Sequence, residues 1–258
     1  MLIREIDGGI DQSELINEIK NECSEFLSGI SNYNALLYRG INTDVEWMRT
    51  SSPENRKPVD SSPKSQKIFD NLLTKLGATA LRSNSLFCAT DSIDAKTFGT
   101  LYYIIPVNGF SFTRVKNSPY DALIDINFTV IVNFGPKSVK RFSKFLKNMV
   151  SSYYSKDDYL IDLYKKFNNP KAAEAKKLDF GNDILEQLIY EKDIGPDQTS
   201  TLIDPDEFAK YYDVEFQDIN KALNEVTADY EMMVHGEVYA ISHQLIGEES
   251  NFRKKFAI

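Results

Sequence analysis

The chain has 258 residues, of which 42% are hydrophobic and 26% charged, with a formal net charge of −8. These values are typical of a soluble globular protein with one substantial core, and they exclude a disordered chain. The acidic balance argues against adsorption of the whole molecule to nucleic acid or a membrane surface. The two cysteines exclude a disulfide framework, and the histidines lack acidic or thiol partners at metal spacing, so no metal site is predicted.

The first third of the chain predicts two helices separated by a strand and a loop. Asp11-Gln12-Ser13-Glu14 has the form of a capping box, and apolar residues follow it at helical spacing until Gly29. Tyr33–Tyr38 is expected to be a strand, and the polar, proline-containing stretch 42–62 a long loop. Ser62-Pro63 is a cap followed by a first-turn proline, and it predicts a second helix.

Short strands and turns are predicted next. Leu86–Thr90 reads as a strand, after which a short helix-like run reaches Phe98-Gly99. Leu101–Val107 and Phe110–Arg114 predict two more strands, and Asn108-Gly109 between them is a strong hairpin signal. We therefore expect these two strands to pair with each other.

The remainder of the chain predicts mainly helices and a last pair of strands. Residues 124–134 read as a strand, and the pattern from 136 to 191 is mainly helical. Short helices are expected near 205–211 and 219–226, and His235-Gly236 predicts a turn between two closing strands. This order favours an α+β fold, in which residues 1–258 form a single domain with a helical insertion at 136–191.

One helix of the insertion is amphipathic. Its polar face carries the cations Lys137, Lys140, Arg141, Lys144 and Lys147. A solvated surface is the simplest interpretation, and a docking surface for RNA or an acidic protein is the alternative.

Three separated segments carry the candidate functional residues. Leu36–Gly40 is an apolar strand that ends in a cation and a glycine, Leu86–Thr90 is the second segment, and Glu231 begins the apolar run Met232–Val234. With these residues in this order, the chain resembles the NAD-dependent ADP-ribosyltransferases of the arginine–serine–glutamate branch. It looks most similar to their phage-encoded and bacterial toxin members. The resemblance implies a split β-sandwich of two small sheets with flanking helices, and NAD as co-substrate.

The resemblance also implies a role for each motif residue. Arg39 would bind the diphosphate or adjacent ribose of NAD, and the backbone of Gly40 would hydrogen-bond the nicotinamide amide. The aromatic pair Phe87 and Phe98, eleven positions apart, would contact the nicotinamide ring. The alternative interpretation makes both phenylalanines ordinary core residues, and for Phe87 alone it carries at least equal weight.

The acids of the last strand would carry the chemistry. Glu231 would stabilise the positive charge that develops on the ribose, and Asp229, two residues earlier on the same strand face, would help to activate the acceptor. Glu237 is the alternative acid, but Glu231 is followed by an apolar strand, a turn and a partner strand, which is the family's order, whereas Glu237 would lie after the turn. The family shows Ser-Thr-Ser where this chain has Cys-Ala-Thr, so only Thr90 keeps a hydroxyl that could orient the glutamate. Cys88 is interpreted as a structural thiol.

The resemblance leaves the acceptor open. It implies a mono-ADP-ribosyltransferase that modifies a protein or RNA as a phage effector or toxin, with a host target or an antitoxin as further partners. The alternatives are an NAD glycohydrolase and a non-catalytic binding or virion protein with a degenerate site. The segment 208–227, with Tyr211, Tyr212 and Phe216 as exposed-type aromatics, is expected to face the acceptor. The charged first residues and the lack of a long apolar run predict a cytoplasmic protein with no membrane partner.

Overall fold

The computed structural model describes residues 11–31, 35–58, 63–116, 135–152, 195–224 and 230–258. In this part of the chain the fold is α+β, as the sequence predicts, with ten helices and one antiparallel sheet of seven strands. The strands are β1 (Tyr38–Ile41), β2 (Trp47–Ser51), β3 (Leu86–Ala89), β4 (Thr100–Pro106), β5 (Ser111–Lys116), β6 (Tyr230–His235) and β7 (Glu237–Ser242). The helices are α1 (Gln12–Glu22), α2 (Ser24–Ile30), α3 (Pro63–Leu76), α4 (Ser92–Lys96), α5 (Pro136–Ser152), α6 (Pro196–Leu202), α7 (Pro205–Tyr211), α8 (Ile219–Asn224), α9 (His243–Ile246) and α10 (Glu249–Phe256).

The chain groups into two compact units, and the first contains the whole sheet. Strand β4 lies at the centre of its core, with Tyr102, Tyr103, Ile104 and Ile105 all buried. Burial of both faces of this strand explains why its sequence is a continuous apolar run and does not alternate with polar residues.

The second unit consists, in the described residues, of α3, α5, α6 and α7. Phe69 of α3 and Phe208 of α7 meet edge to face, with ring centroids 4.9 Å apart. The carboxylate of Glu207 accepts hydrogen bonds from the backbone N–H groups of Lys137 and Ser138, each at 2.8 Å. A side chain distant in sequence therefore caps the beginning of α5.

The sheet has two halves that meet at one residue pair. Its strand order is β2-β7-β4-β1-β3-β6-β5. Strand β1 pairs with β4 along its whole length, but with β3 only where Tyr38 lies opposite Ala89. Strands β2, β7, β4 and β1 form one half, and β3, β6 and β5 form the other. Where the resemblance implies two small sheets, the structure has one sheet divided in this way.

Both predicted hairpins are wrong. The strands on either side of Asn108-Gly109 are β4, which pairs with β1 and β7, and β5, which pairs with β6. The strands on either side of Gly236 are β6, which pairs with β3 and β5, and β7, which pairs with β2 and β4. Neither turn joins two neighbouring strands.

The two turns instead bend a continuous two-stranded ribbon. Strand β4 is paired with β7 as far as Pro106, and β5 with β6 from Ser111 onward, so residues 107–110 face residues 236–237. One segment carries more residues through the bend than its partner, which is the definition of a β-bulge. Gly236 adopts a φ of +126°, which favours glycine. Each of the two segments passes from one half of the sheet to the other, because its strand before the turn pairs in one half and its strand after the turn pairs in the other.

Two strand predictions need correction near the N-terminus. The strand expected at Tyr33–Tyr38 is β1, which begins at Tyr38, while residues 32–34 lie outside the described part of the chain. The expected loop 42–62 contains β2, in which Met48 and Thr50 are buried. This strand depends on pairing with β7, which local sequence does not reveal.

The first predicted helix is interrupted at Cys23 by a contact from a distant loop. Asn108 donates its backbone N–H to the carbonyl oxygen of Glu22 at 2.7 Å. Its Oδ1 accepts a hydrogen bond from the N–H of Glu25 at 2.9 Å. Asn108 therefore ends α1 and begins α2, and Gly29, expected to end the helix, lies inside α2.

The helix predicted from Pro63 is confirmed as α3, which ends before Gly77, a glycine with φ of +94°. At the start of the stretch 136–191, whose pattern is mainly helical, the structure has helix α5. The rest of that insertion to residue 191 and the strand expected at 124–134 lie outside the described residues. None of the helices in the described ranges combines the length and apolarity needed to cross a membrane.

Candidate active site

The candidate site lies at a gap that opens between β1 and β3. The register that places Tyr38 opposite Ala89 would place Gly40 opposite Phe87, but these two residues are not paired. The strands therefore separate after Tyr38, and none of the described strands pairs with the peptide groups on the side of the gap. Unpaired backbone of this kind can hydrogen-bond a ligand.

Arg39 reaches across the gap. Its Nη1 donates a hydrogen bond to the carbonyl oxygen of Phe87 at 2.5 Å. The guanidinium thus replaces the backbone contact that continued pairing of the strands would make. No carboxylate in the described part of the chain pairs with Arg39. A guanidinium whose charge is not compensated suits a phosphate group or another anion.

Gly40 presents its backbone to the gap. The N–H of Ile104 donates to the carbonyl oxygen of Leu37 at 2.9 Å, which marks Tyr38 as a position not hydrogen-bonded to β4. Because the two kinds of position alternate along an antiparallel pair, Arg39 bonds to β4 and Gly40 does not. The N–H and C=O groups of Gly40 therefore point toward the gap.

Glu231 lies on β6, the strand that pairs with β3. Its cross-strand neighbours are Ala89 of β3 and Val115 of β5. Its Oε2 accepts a hydrogen bond from Nη1 of Arg82 at 2.6 Å, and the Glu231 and Arg82 side chains are only 18% and 12% exposed, respectively. Glu231 is therefore a mostly buried carboxylate held by a mostly buried cation.

The pKa of the Cys88 thiol is affected by the charges of Arg39 and Glu231. Burial raises its pKa to about 12, while the charge of Arg39 acts to lower this pKa and the charge of Glu231 acts to raise it. Arg39 and Glu231 both act on this one thiol, and they lie on β1 and β6, the strands on either side of β3. A thiol with so high a pKa is protonated at neutral pH, in agreement with a structural role for Cys88.

The alternative acid, Glu237, lies in the other half of the sheet. Its side chain is 50% exposed, and it binds Nη2 of Arg49 at 2.7 Å. Arg49 also binds Glu22 at 2.9 Å, so Glu237 belongs to a surface network of ion pairs. The geometry favours Glu231 as the acid of the gap. Asp229, the second predicted acid, lies outside the described residues.

The two predicted aromatic residues have different surroundings. The Cζ atoms of Arg56 and Arg82 lie 3.8 and 4.8 Å from the ring centroid of Phe87, which are cation–π distances. Phe98 follows α4 and is 72% exposed. Both residues belong to the described ranges, and their rings do not contact each other. The interpretation of Phe98 as a core residue is therefore wrong.

The hydroxyl of Thr90 is buried and has no hydrogen-bond partner among the described residues. Leaving such a group unsatisfied costs about 1–3 kcal/mol, so it marks a position where a ligand or a water can complete the bonding. Thr90 is not bonded to Glu231, so it does not supply the orienting hydrogen bond that the family resemblance implies.

Sequence reasoning missed Arg56 and Arg82. Arg56 lies in the stretch predicted to be an unstructured loop, and Arg82 lies in a polar segment before β3. The N–H of Arg56 donates to the carbonyl oxygen of Ser83 at 2.7 Å, which joins the two segments. The one available signal was the cation in Arg82-Ser83-Asn84 directly before a motif strand, and such a signal is common in surface loops.

The segment 208–227 is only partly exposed. Tyr211 is 41% exposed, as expected for an acceptor contact, but Tyr212 is 3% exposed, so its prediction as an exposed aromatic is wrong. Arg114, fully buried, donates to Oδ2 of Asp213 at 3.0 Å, and its backbone bridges to Glu215. These contacts tie part of the segment to β5. Residues 225–227 lie outside the described ranges.

The basic face of α5 is exposed, as predicted. Arg141 binds Asp204 at 2.7 Å, and Lys137 lies 3.7 Å from the same carboxylate group. Lys140 and Lys144 have no acidic partner among the described residues. The face therefore combines internal ion pairs with two uncompensated lysines.

Comparisons with known proteins add no family assignment. No protein-family model, no curated protein and no solved structure matches the chain. Within the described ranges, no group of three or more His, Cys, Asp or Glu side chains is arranged to hold a metal ion. The activity is therefore inferred from the gap and the residues around it.

Proposed function

We propose that the chain is a mono-ADP-ribosyltransferase that cleaves NAD and transfers ADP-ribose to a protein or RNA acceptor. The observation that carries this proposal is the gap between β1 and β3, with Arg39 across it, the peptide groups of Gly40 facing it and Glu231 on the strand beyond β3. This combination offers a fixed cation, a backbone donor and acceptor, and a carboxylate.

Each of these groups matches one part of NAD. The always-charged guanidinium of Arg39 suits the diphosphate, and the N–H and C=O groups of Gly40 can bond the amide of nicotinamide. Cleavage breaks the bond between C1′ of the ribose and the nicotinamide nitrogen, so positive charge develops on the sugar. The carboxylate of Glu231 stabilises that charge, as carboxylates do in glycoside cleavage. Neutral nicotinamide leaves, and the acceptor nucleophile bonds to C1′ and loses a proton.

The biological setting follows from the same proposal. An enzyme of this kind acts in the cytoplasm of a host cell as a phage effector or toxin. Its partners are the modified macromolecule and, for a toxin, a neutralising antitoxin.

A non-catalytic binding protein is the second candidate, and Ala89 is the observation that favours it. Ala89 lies opposite Glu231 and cannot hydrogen-bond it, and in the part of the chain that the structure describes the Thr90 hydroxyl has no partner. Such a protein would bind NAD without releasing nicotinamide. An NAD glycohydrolase would release nicotinamide with water as acceptor.

Incubation with NAD labelled in the adenylate moiety, with and without cell lysate, separates the three candidates. A transferase is expected to release nicotinamide and to label a macromolecule. Protease digestion removes the label if the acceptor is a protein, and nuclease digestion removes it if the acceptor is RNA. Release without labelling would identify a glycohydrolase. NAD binding without release would identify a binding protein, and absence of both would contradict the proposal.

A further inference from the structure

The side chains directly opposite Glu231 on the two adjoining strands cannot hydrogen-bond its carboxylate. Opposing side chains of an antiparallel pair lie on the same face with Cβ atoms about 4.5–5.5 Å apart. For Glu231 those side chains are Ala89 and Val115, both of which are apolar. Neither of these two side chains can donate a hydrogen bond to the carboxylate, so a donor group that orients it must come from elsewhere in the chain.

Arg82 supplies that group. Its Nη1 bonds Oε2 of Glu231 at 2.6 Å, and both side chains are mostly buried. A short charge-assisted bond with little solvent access restricts the carboxylate far more than an exposed ion pair would. The guanidinium of Arg82 also lies over the ring of Phe87, whose carbonyl oxygen accepts the bond from Arg39. The cation is thus held by a residue of the gap itself.

The loop that carries Arg82 is fixed by a set of hydrogen bonds centred on Asn84. Oδ1 of Asn84 accepts from the N–H of Leu81 at 2.7 Å, and its Nδ2 donates to the carbonyl oxygen of Thr79 at 3.0 Å. Nδ1 of His235, at the end of β6, donates to the carbonyl oxygen of Asn84 at 2.8 Å. The loop is therefore tied to the strand that carries Glu231. Such anchoring is what a positioning side chain requires.

We infer that Arg82 is the positioning residue of Glu231, and that it takes over the orienting role for which Ala89 has no hydroxyl. This inference rests on the proposed function and adds the means by which the site stays competent despite its Cys-Ala-Thr sequence. Arg82 acts through Glu231 and does not bind NAD. Its loss therefore lowers kcat and leaves the affinity for NAD unchanged.

Nicotinamide release by purified Arg82→Met, Arg82→Met/Ala89→Ser and wild-type protein tests this inference. Arg82→Met is expected to lower kcat by about 10²-fold, the scale for a misplacement of about 1 Å. Calorimetric NAD affinity is expected to stay at the wild-type value. Ala89→Ser puts a hydroxyl opposite Glu231, and it is expected to restore kcat by about tenfold in the Arg82→Met background. Arg49→Met, which breaks the matching ion pair of Glu237, is the control and keeps the wild-type kcat.

Two results would overturn the inference alone. One is an unchanged kcat for Arg82→Met while the wild-type protein releases nicotinamide. The other is an NAD affinity that falls in parallel with kcat and no recovery with Ala89→Ser, since Arg82 would then bind the substrate. A wild-type protein that neither binds nor cleaves NAD would overturn the proposed function as well. If Arg82→Met does not fold, Arg82→Lys replaces it, because Lys keeps the charge but lacks the planar donors of Arg, and the same recovery is expected.

Discussion

The strand that runs through the bend at Gly236 carries a glutamate–arginine pair in each half of the sheet. Glu231 binds Arg82 at 2.6 Å in one half, and Glu237 binds Arg49 at 2.7 Å in the other. The first pair is mostly buried beside the gap, and the second is more exposed, with side-chain exposures of 32% for Arg49 and 50% for Glu237. Two pairs of nearly equal geometry thus differ in what surrounds them.

The surroundings determine what each pair can do. Arg49 also binds Glu22, and it donates to the hydroxyl of Tyr239 at 3.1 Å, so its donors serve a surface network. Exposed pairs of this kind contribute about 0–1 kcal/mol to stability, and water screens their charges. The carboxylate of Glu231 keeps its electrostatic strength because little water reaches it. An acid at the head of an apolar strand therefore becomes a candidate for catalysis only when the fold places it beside a ligand-binding gap.

The largest expected effect comes from removing the charge of Glu231. Glu231→Gln is expected to lower nicotinamide release by about 10²–10⁴-fold, the usual scale for a positioned catalytic carboxylate. Glu237→Gln is expected to remain close to wild type. Steady-state kinetics of both variants measures the difference. A dead Glu237→Gln beside an active Glu231→Gln would reverse the assignment of the two acids.

The arginine of the gap is expected to matter more for binding than for turnover. A hydrogen bond to a charged group is worth about 1.5–3 kcal/mol, so Arg39→Ala should weaken NAD binding by about ten- to a hundredfold. Arg49→Ala is the matched control in the other half and should bind NAD normally. Calorimetric measurement of the NAD affinity of both variants tests this prediction. An unchanged affinity for Arg39→Ala would show that this residue does not belong to the site.

The substitution Gly40→Ala tests how closely α4 approaches β1 beside the gap. An added Cβ would collide with the carbonyl oxygen of Ala95 and lie 2.8 Å from the backbone nitrogen of Gly99, so α4 must move. Gly40→Ala is expected to lower the free energy of unfolding by about 1–3 kcal/mol and to weaken NAD binding. In Gly29→Ala the new methyl meets only side-chain atoms, the nearest being Cγ2 of Ile219 at 3.2 Å. Urea unfolding of both variants should separate them, and equal stability would contradict the close approach of α4.

The smallest expected effect is on the free energy of unfolding at acidic pH. Burial of Glu215 opposes its ionisation, but hydrogen bonds from Lys221 and from the backbone N–H groups of Gln217 and Asp218 lower its pKa below the ordinary value of 4.5. A lowered pKa in the folded state stabilises the protein above the unfolded pKa, and this stabilisation is lost as pH falls through the folded pKa. Unfolding free energies measured between neutral pH and acid should therefore decline less for Glu215→Gln than for wild type. An identical decline would show that the carboxylate contributes nothing to acid sensitivity.

Elements with strong local signals were predictable. Asp11 caps α1 by accepting from the N–H of Ser13, and α3 begins at Pro63 as the sequence indicates. The hairpins at Asn108-Gly109 and His235-Gly236 failed because a turn sequence does not reveal which strand its flanks pair with. Tyr212 failed for a related reason, since an aromatic residue in a connector is exposed or buried according to what packs on it.

The candidate site likewise has features that the local sequence determines and features that depend on tertiary contacts. Sequence alone determined the order of Arg39, Gly40, Thr90 and Glu231 along the chain, because residue types and neighbouring apolar runs are local properties. Only the tertiary structure decided that β1 and β3 separate after one pair, that Arg39 spans the resulting gap and that Arg82 bonds Glu231. These are contacts between segments distant in sequence. Their register depends on the pairing of all seven strands, which no single segment encodes.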